Sequence, residues 1–178
     1  FKLIAQPADY DAFRGEGFSV NIINQGDTYK NLLWTPSEAL SCTTCISPVI
    51  TTNINREYKI VGSNRFFCTD STFVHIKTYY RSHLALPNVF TPNKDGVNDY
   101  FYVIAGKEVV SVNKFQIFNR WGQQVFESNN SKPNEYISGW DGYYKGKIAE
   151  NGTYIYYILI TLLDGTIEEV KSNITLFR

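Results

Sequence analysis

Asn93, Asp95 and Asp99 surround Gly96 in the run Thr91-Pro-Asn-Lys-Asp-Gly-Val-Asn-Asp99, and they place hard oxygen donors at roughly alternate positions. Carboxylates spaced in this way ahead of a glycine are what a calcium loop uses. The copy is incomplete. Thr91 stands at the first position, and Tyr102 stands where a bidentate glutamate belongs. The same residue types also build a turn in which Asn and Asp oxygens bond nearby backbone amides. That turn is the preferred reading, with a weak calcium site as the alternative.

A second candidate is aromatic. Trp121 precedes Gly122 in Phe115-Gln-Ile-Phe-Asn-Arg-Trp-Gly122, and Trp140 follows Gly139 in Gly139-Trp-Asp-Gly142. Two tryptophans beside glycines could form a carbohydrate platform. More often they plug the ends of a β-sandwich, with glycine allowing the turn beside each ring. The sequence reading therefore expects both rings to be packed.

Cys42, Cys45 and Cys68 are the three cysteines. A Cys-x-x-Cys with one distant cysteine and no adjacent histidine lacks the four ligands of structural zinc. A thioredoxin-like role needs a βαβ context that is not evident. A structural disulfide is the reading that remains ahead of these two.

Catalytic constellations are hard to assemble. His75 lies in a strand-like run and His83 in a polar stretch, and their spacing suggests no Ser-His-Asp or Cys-His set. Glu168 and Glu169 are neighbours in a strand, so their side chains point to opposite faces and cannot share a substrate. The expectation is a protein that is not an enzyme.

The elements that would position these residues read as strands throughout. Turn signals from Gly15 to Gly165 recur about every ten residues, which suggests a sandwich or barrel. Alternation is clear from Glu57 to Val61 and from Ser71 to Tyr79. In the second run Thr72, Val74, Ile76 and Thr78 form the core-facing set. No stretch sustains a helical period, although Ser37 to Leu40 could make one turn. Aromatic residues are 16% of the 178, charged residues 19%, and lysine plus arginine (17) balances aspartate plus glutamate (17). This composition supports packed β cores and argues against a phosphate-backbone binder. No apolar run reaches the roughly 18 residues of a spanning helix. With no methionine present, Phe1 is expected to follow an upstream segment.

A boundary falls near Arg81 to Leu86, giving 1–85 and 86–178. Each half is about 90 residues, close to an immunoglobulin-like sandwich. The expected fold is all-β, as two tandem immunoglobulin-like β-sandwiches. The best-specified segment is the last. Thr153 to Leu163 and Thr166 to Phe177 flank Asp164-Gly165, a two-residue hairpin signal. A tight turn there sets Leu159 opposite Val170 and Ile155 opposite Ile174 on one apolar face, a register that a bulge would shift.

Five motifs then occur in order: Leu86-Pro-Asn-Val-Phe-Thr-Pro-Asn-Lys-Asp-Gly-Val-Asn-Asp99, Ile117-Phe-Asn-Arg-Trp-Gly122 with Val125-Phe126, Gly139-Trp-Asp-Gly142, Asn151-Gly-Thr-Tyr-Ile-Tyr156 and Ile174-Thr-Leu-Phe-Arg178. This half of the chain resembles the gliding-motility-associated C-terminal domain of Bacteroidota, the type B sorting domain of the type IX secretion system. Lys94 stands where glycine is commoner in that family, and Phe177 where leucine is. The first half resembles the immunoglobulin- or PKD-like modules that often precede the domain. In those modules a cysteine near Cys68 commonly pairs with one close to the start, where this chain has Phe13-Arg14. The resemblance thus implies a Cys42–Cys45 disulfide and leaves Cys68 free.

The resemblance also implies a secretion signal on a cell-surface protein, such as a gliding-associated adhesin. Such a protein passes through the type IX translocon with a PorP/SprF-type outer-membrane β-barrel as partner. Under that reading the hairpin is recognised as folded structure. Gly165 fixes it, while Glu168, Glu169, Lys171 and Arg178 present charge at its rim. An adhesive or carbohydrate-binding β-module is the alternative.

Overall fold

A computed structural model describes every residue from Phe1 to Arg178. The chain divides into two compact units, Phe1–Arg81 and Ser82–Arg178. Leu84 and Ala85, which the sequence reading leaves with the first half, pair with Ala105 and Ile104 of the second.

The first unit contains β1 (Lys2–Gln6), β2 (Asp9–Phe13), β3 (Gly17–Ser19), β4 (Asn21–Gln25), β5 (Tyr29–Thr35), β6 (Val49–Thr51), β7 (Arg56–Asn64) and β8 (Thr69–Tyr79). Its main sheet runs β2-β8-β7-β5, with β2 parallel to β8 and the other pairs antiparallel. The β1–β4 and β3–β6 pairs supply further strands. Period-two alternation decides which side chains are buried. Val74, Ile76 and Thr78 of β8 are buried while Phe73, His75 and Lys77 face solvent, as the pattern predicts. Leu3, Ala5 and Ile22 of the β1–β4 pair join Trp34, Tyr58, Ile60 and Val74 in one core, which makes the unit an immunoglobulin-like sandwich. Cys42 and Cys45 are disulfide-bonded with Cα atoms 6.0 Å apart, and Cys68 is free and exposed. The Trp34 indole donates to the Cys45 carbonyl at 2.9 Å, tying the disulfide loop to the core. Ser37 to Leu40 forms no helix; Leu40 bridges to Ile50 instead.

The second unit contains β9 (Leu84–Ala85), β10 (Val89–Phe90), β11 (Ile104–Ala105), β12 (Val109–Phe118), β13 (Gln124–Ser131), β14 (Tyr143–Tyr144), β15 (Lys147–Ile148), β16 (Gly152–Leu162) and β17 (Ile167–Leu176). A single 3-10 turn spans Tyr136–Ser138. The sheet order is β10-β17-β16-β12-β13, again with a short early strand parallel to the last one. One face of this sheet is apolar: Phe115, Ile117, Tyr154, Tyr156, Ile158, Ile160, Leu162, Ile174 and Leu176 are all buried. Phe90, Phe101 and Trp140 pack on it. Ring centroids lie 5.3 Å apart for Phe90–Trp140, 5.2 Å for Phe101–Tyr156 and 4.7 Å for Trp140–Tyr154. Edge-to-face and tilted rings at such distances add to the area they bury.

Candidate functional site

The β16–β17 hairpin is longer and differently closed than its sequence suggests. The Leu162 amide donates to the Thr166 carbonyl at 2.8 Å, and the Gly165 amide donates to the Leu162 carbonyl at 2.9 Å. The loop is therefore Leu163-Asp164-Gly165, with Gly165 in the left-handed region at φ 83°. This is the three-residue hairpin that ends in a glycine bulge, not the two-residue turn. One extra loop residue slips every pair. Ile158 faces Val170 and Tyr154 faces Ile174, while Leu159 meets Glu169 and Ile155 meets Asn173. The even-numbered residues are thus the buried ones, and Ile155 is 56% exposed.

Gly165 has open space around it, so only its backbone conformation resists a side chain. Gly165→Val is expected to destabilise the second unit by about 1–2 kcal/mol. Thermal unfolding of the full chain would show this as a fall in the second unit's midpoint.

The outer edge of β17 is mostly open. β10 covers it only at Thr175 and Leu176, through bonds from the Thr175 amide to Asn88 and from the Phe177 amide to Phe90. Alternation along the strand then directs the backbone groups of Ile167, Glu169, Lys171 and Asn173 to the same edge, where no strand meets them. Their side chains lie on the solvent face. Glu169 is ion-paired with Lys171 and accepts from the Tyr157 hydroxyl at 3.1 Å. The bond to Lys171 holds the Glu169 carboxyl below its usual range, and the same bond holds the Lys171 ammonium above its own.

Two of the expected rim charges have other work. Glu168 lies on the core-side face and accepts from the Ser82 hydroxyl, closing the rim of the sandwich. The Arg178 guanidinium is turned inward. It donates to the carbonyls of Pro92 at 2.8 Å, Gly142 at 3.2 Å and Ala149 at 3.4 Å. These bonds hold Arg178 against the second unit. Sequence spacing could not show this, because all three acceptors are distant along the chain. Ile167 and Asn173 belong to the open edge and were not anticipated.

At the Asn93–Asp99 turn the oxygens are occupied by the turn itself. Asp99 accepts the Lys94 amide at 2.6 Å and the Gly96 amide at 2.8 Å. Asp95 accepts the Val97 amide and the Asn93 side-chain amide, both at 2.8 Å. Asn93 Oδ1 takes the Asp95 amide at 3.0 Å. The donor set fits an Asx-type turn, and as folded it does not fit a calcium cage, whose ligand oxygens point to one centre. Bonds from Asn93 and the Val97 amide hold the Asp95 carboxyl below the ordinary aspartate value. A depressed folded-state pKa gives stabilisation that is full above the unfolded pKa of about 4 and is lost as pH falls through the lower folded value. An acid titration followed by the Val97 amide NMR resonance should show the turn loosening only below pH about 4.

The two tryptophans separate completely. Trp140 is 1% exposed, and its indole donates to the Tyr143 carbonyl at 2.9 Å. Trp121 is 78% exposed, so the expectation that both rings are plugs fails for it. The reason is the β12–β13 turn. Asn119 and Gln123 close a three-residue loop of Arg120, Trp121 and Gly122, with Gly122 at φ 75°. That loop carries the ring beyond the sheet it leaves. His75 and His83 each sit beside a carboxylate, Glu57 at 3.0 Å and Glu108 at 2.8 Å.

The second unit is thus an immunoglobulin-like β-sandwich whose main sheet ends in β13 on one side and, past the short β10, in the largely open edge of β17 on the other. The model of the CHU_C type IX secretion signal domain matches residues 84–176, and the chain belongs to that family. It therefore carries a signal for the type IX secretion system, which exports proteins to the cell surface or beyond. No helix is long and apolar enough to cross a membrane. Among curated proteins none matches the chain.

Three solved structures are similar to it only at low identity and low TM-score. Dimeric latent PorU from Porphyromonas gingivalis is 12% identical at a TM-score of 0.36, over 93% of this chain and 18% of that one. The ICAM-5 D1–D4 ectodomain fragment is 13% identical at 0.41, over 98% of this chain and 50% of that one. Murine CEACAM1b is 11% identical at 0.37, over 99% of each chain. The chain thus spans about half of the ICAM-5 fragment and under a fifth of PorU.

Proposed function

We propose that residues 82–178 direct a gliding-associated surface adhesin through the type IX translocon, handed on by a PorP/SprF-type outer-membrane β-barrel. The signal is read as a folded domain, and the surface read is the open edge of β17. The observation that carries this is the unpaired run from Ile167 to Asn173 on one of the sheet's two edges, the other edge being β13. An open edge can accept a partner's strand through main-chain hydrogen bonds. The neighbouring charges Glu169 and Lys171 deter indiscriminate pairing and steer the correct partner.

The test is a fluorescent protein fused to residues 82–178, produced with a periplasmic export signal in a host that has this secretion system. The reading expects fluorescence at the surface or in the medium, dependent on the translocon and on the β-barrel protein. Periplasmic retention of the fusion would reject it.

A further inference from the structure

We propose that the second unit binds an acidic saccharide in the cleft beside Trp121, independently of its sorting role. The cleft lies between the β12–β13 turn, the β14–β15 hairpin and the start of β16, and its volume is about 540 Å³. That lies within the roughly 300–1,000 Å³ typical of small-ligand sites, and it is concave where a protein-docking patch is usually flat.

Its chemistry is one-sided. Arg120, Lys145 and Lys147 line it, against Glu150 as its single acid. The Arg120–Glu150 contact is loose, at 3.8 Å with side chains 70% and 88% exposed. Such a pair contributes little and exchanges readily for a ligand carboxylate, which arginine can grip in bidentate fashion. Lys147 forms no ion pair. Trp121 stands at the mouth with its ring largely in water, although the backbone beneath it is fixed by Asn119, which accepts the Trp121 amide at 3.0 Å. The Arg120 guanidinium lies over the Trp121 ring, 5.0 Å from its centroid, and the rest of this exposed ring offers an apolar plate. The apolar face of a sugar ring stacks on such a plate. The exposed hydroxyl of Thr153 and side chain of Asn151 on the adjoining wall suit its hydroxyl groups. Cations, hydroxyl partners and one aromatic plate together select a ligand that carries both acid and sugar character.

The measurement is built in, because Trp34 and Trp140 are each 1% exposed and Trp121 alone meets solvent. The full chain would be titrated with trigalacturonic acid, with maltotriose and with adenosine monophosphate, following tryptophan fluorescence. The proposal expects a saturable change with trigalacturonic acid. It expects a response to maltotriose weaker by roughly tenfold, the share supplied by the charged contacts. Trp121→Ala should abolish the change, and Lys147→Ala should weaken acid binding severalfold without altering the maltotriose response. Both variants should keep the wild-type unfolding midpoint. No saturable change at about 10 mM saccharide, where even millimolar affinity would register, would overturn the proposal. Tighter binding of adenosine monophosphate than of trigalacturonic acid would do the same. So would loss of reporter export in Trp121→Ala without any saccharide binding by the parent chain, since that assigns the cleft to protein contact.

Discussion

A reporter fused to residues 82–160 is expected to remain inside the cell envelope, with delivery reduced to background. The truncation removes β17, which lies between β16 and β10 in the sheet. Ile174 and Leu176 are fully buried, and losing each forfeits roughly 1.5–3 kcal/mol of burial. Arg178 goes too, and with it the bonds that hold Pro92, Gly142 and Ala149 together. Set against a typical domain stability of about 5–15 kcal/mol, these losses leave little folded population. What remains exposes nine of the eleven residues of β16, a strand rich in aromatic and branched side chains, along a newly opened edge. Such a segment pairs with copies of itself. Cell fractionation of the two fusions checks the expectation, and equal delivery of 82–160 and 82–178 would refute it.

Trp140→Ala is expected to cost the second unit about 3–5 kcal/mol, as for other fully buried large aromatics. The ring touches Phe90 and Tyr154, its indole donates to Tyr143, and its backbone exchanges both hydrogen bonds with Phe101 at 2.8 Å. Removing the side chain leaves a cavity where the β10 segment, the Phe101 segment and the main sheet meet. Trp121→Ala, by contrast, should change stability by less than about 0.5 kcal/mol, because the lost ring is in water. Urea unfolding of the full chain, fitted with separate transitions for the two units, distinguishes these outcomes. Similar costs for the two variants would mean that the two environments have been misassigned.

This contrast marks how far the sequence could be read. Both tryptophans stand beside glycine in aromatic surroundings, and nothing local decides which ring is buried. The decision comes from where each loop sits in the completed sandwich. The inner faces of β7 and β8 were legible because strict alternation leaves one reading. The existence of β16 and β17 was legible from their aromatic and β-branched content and the turn signal between them. Their register was not. Asp-Gly serves as a two-residue turn and equally as the end of a three-residue loop, and one residue of difference moves Leu159 and Ile155 to the solvent face. The Asn93–Asp99 turn was readable as a turn from its residue types. The inward role of Arg178 and the parallel pairing of β10 with β17 depend on contacts between distant segments, which composition and spacing do not encode.

Export through a folded edge can be separated from the fold itself by one substitution. The Lys171 amide points away from β16, so Lys171→Pro removes a donor only from the open side, where proline is tolerated in an edge strand. The measurement is surface delivery of a reporter fused to residues 82–178 bearing Lys171→Pro, read beside its unfolding midpoint. Delivery lost while the midpoint stays near that of the parent is the predicted result. Delivery equal to the parent's at an unchanged midpoint would contradict recognition at the β17 edge.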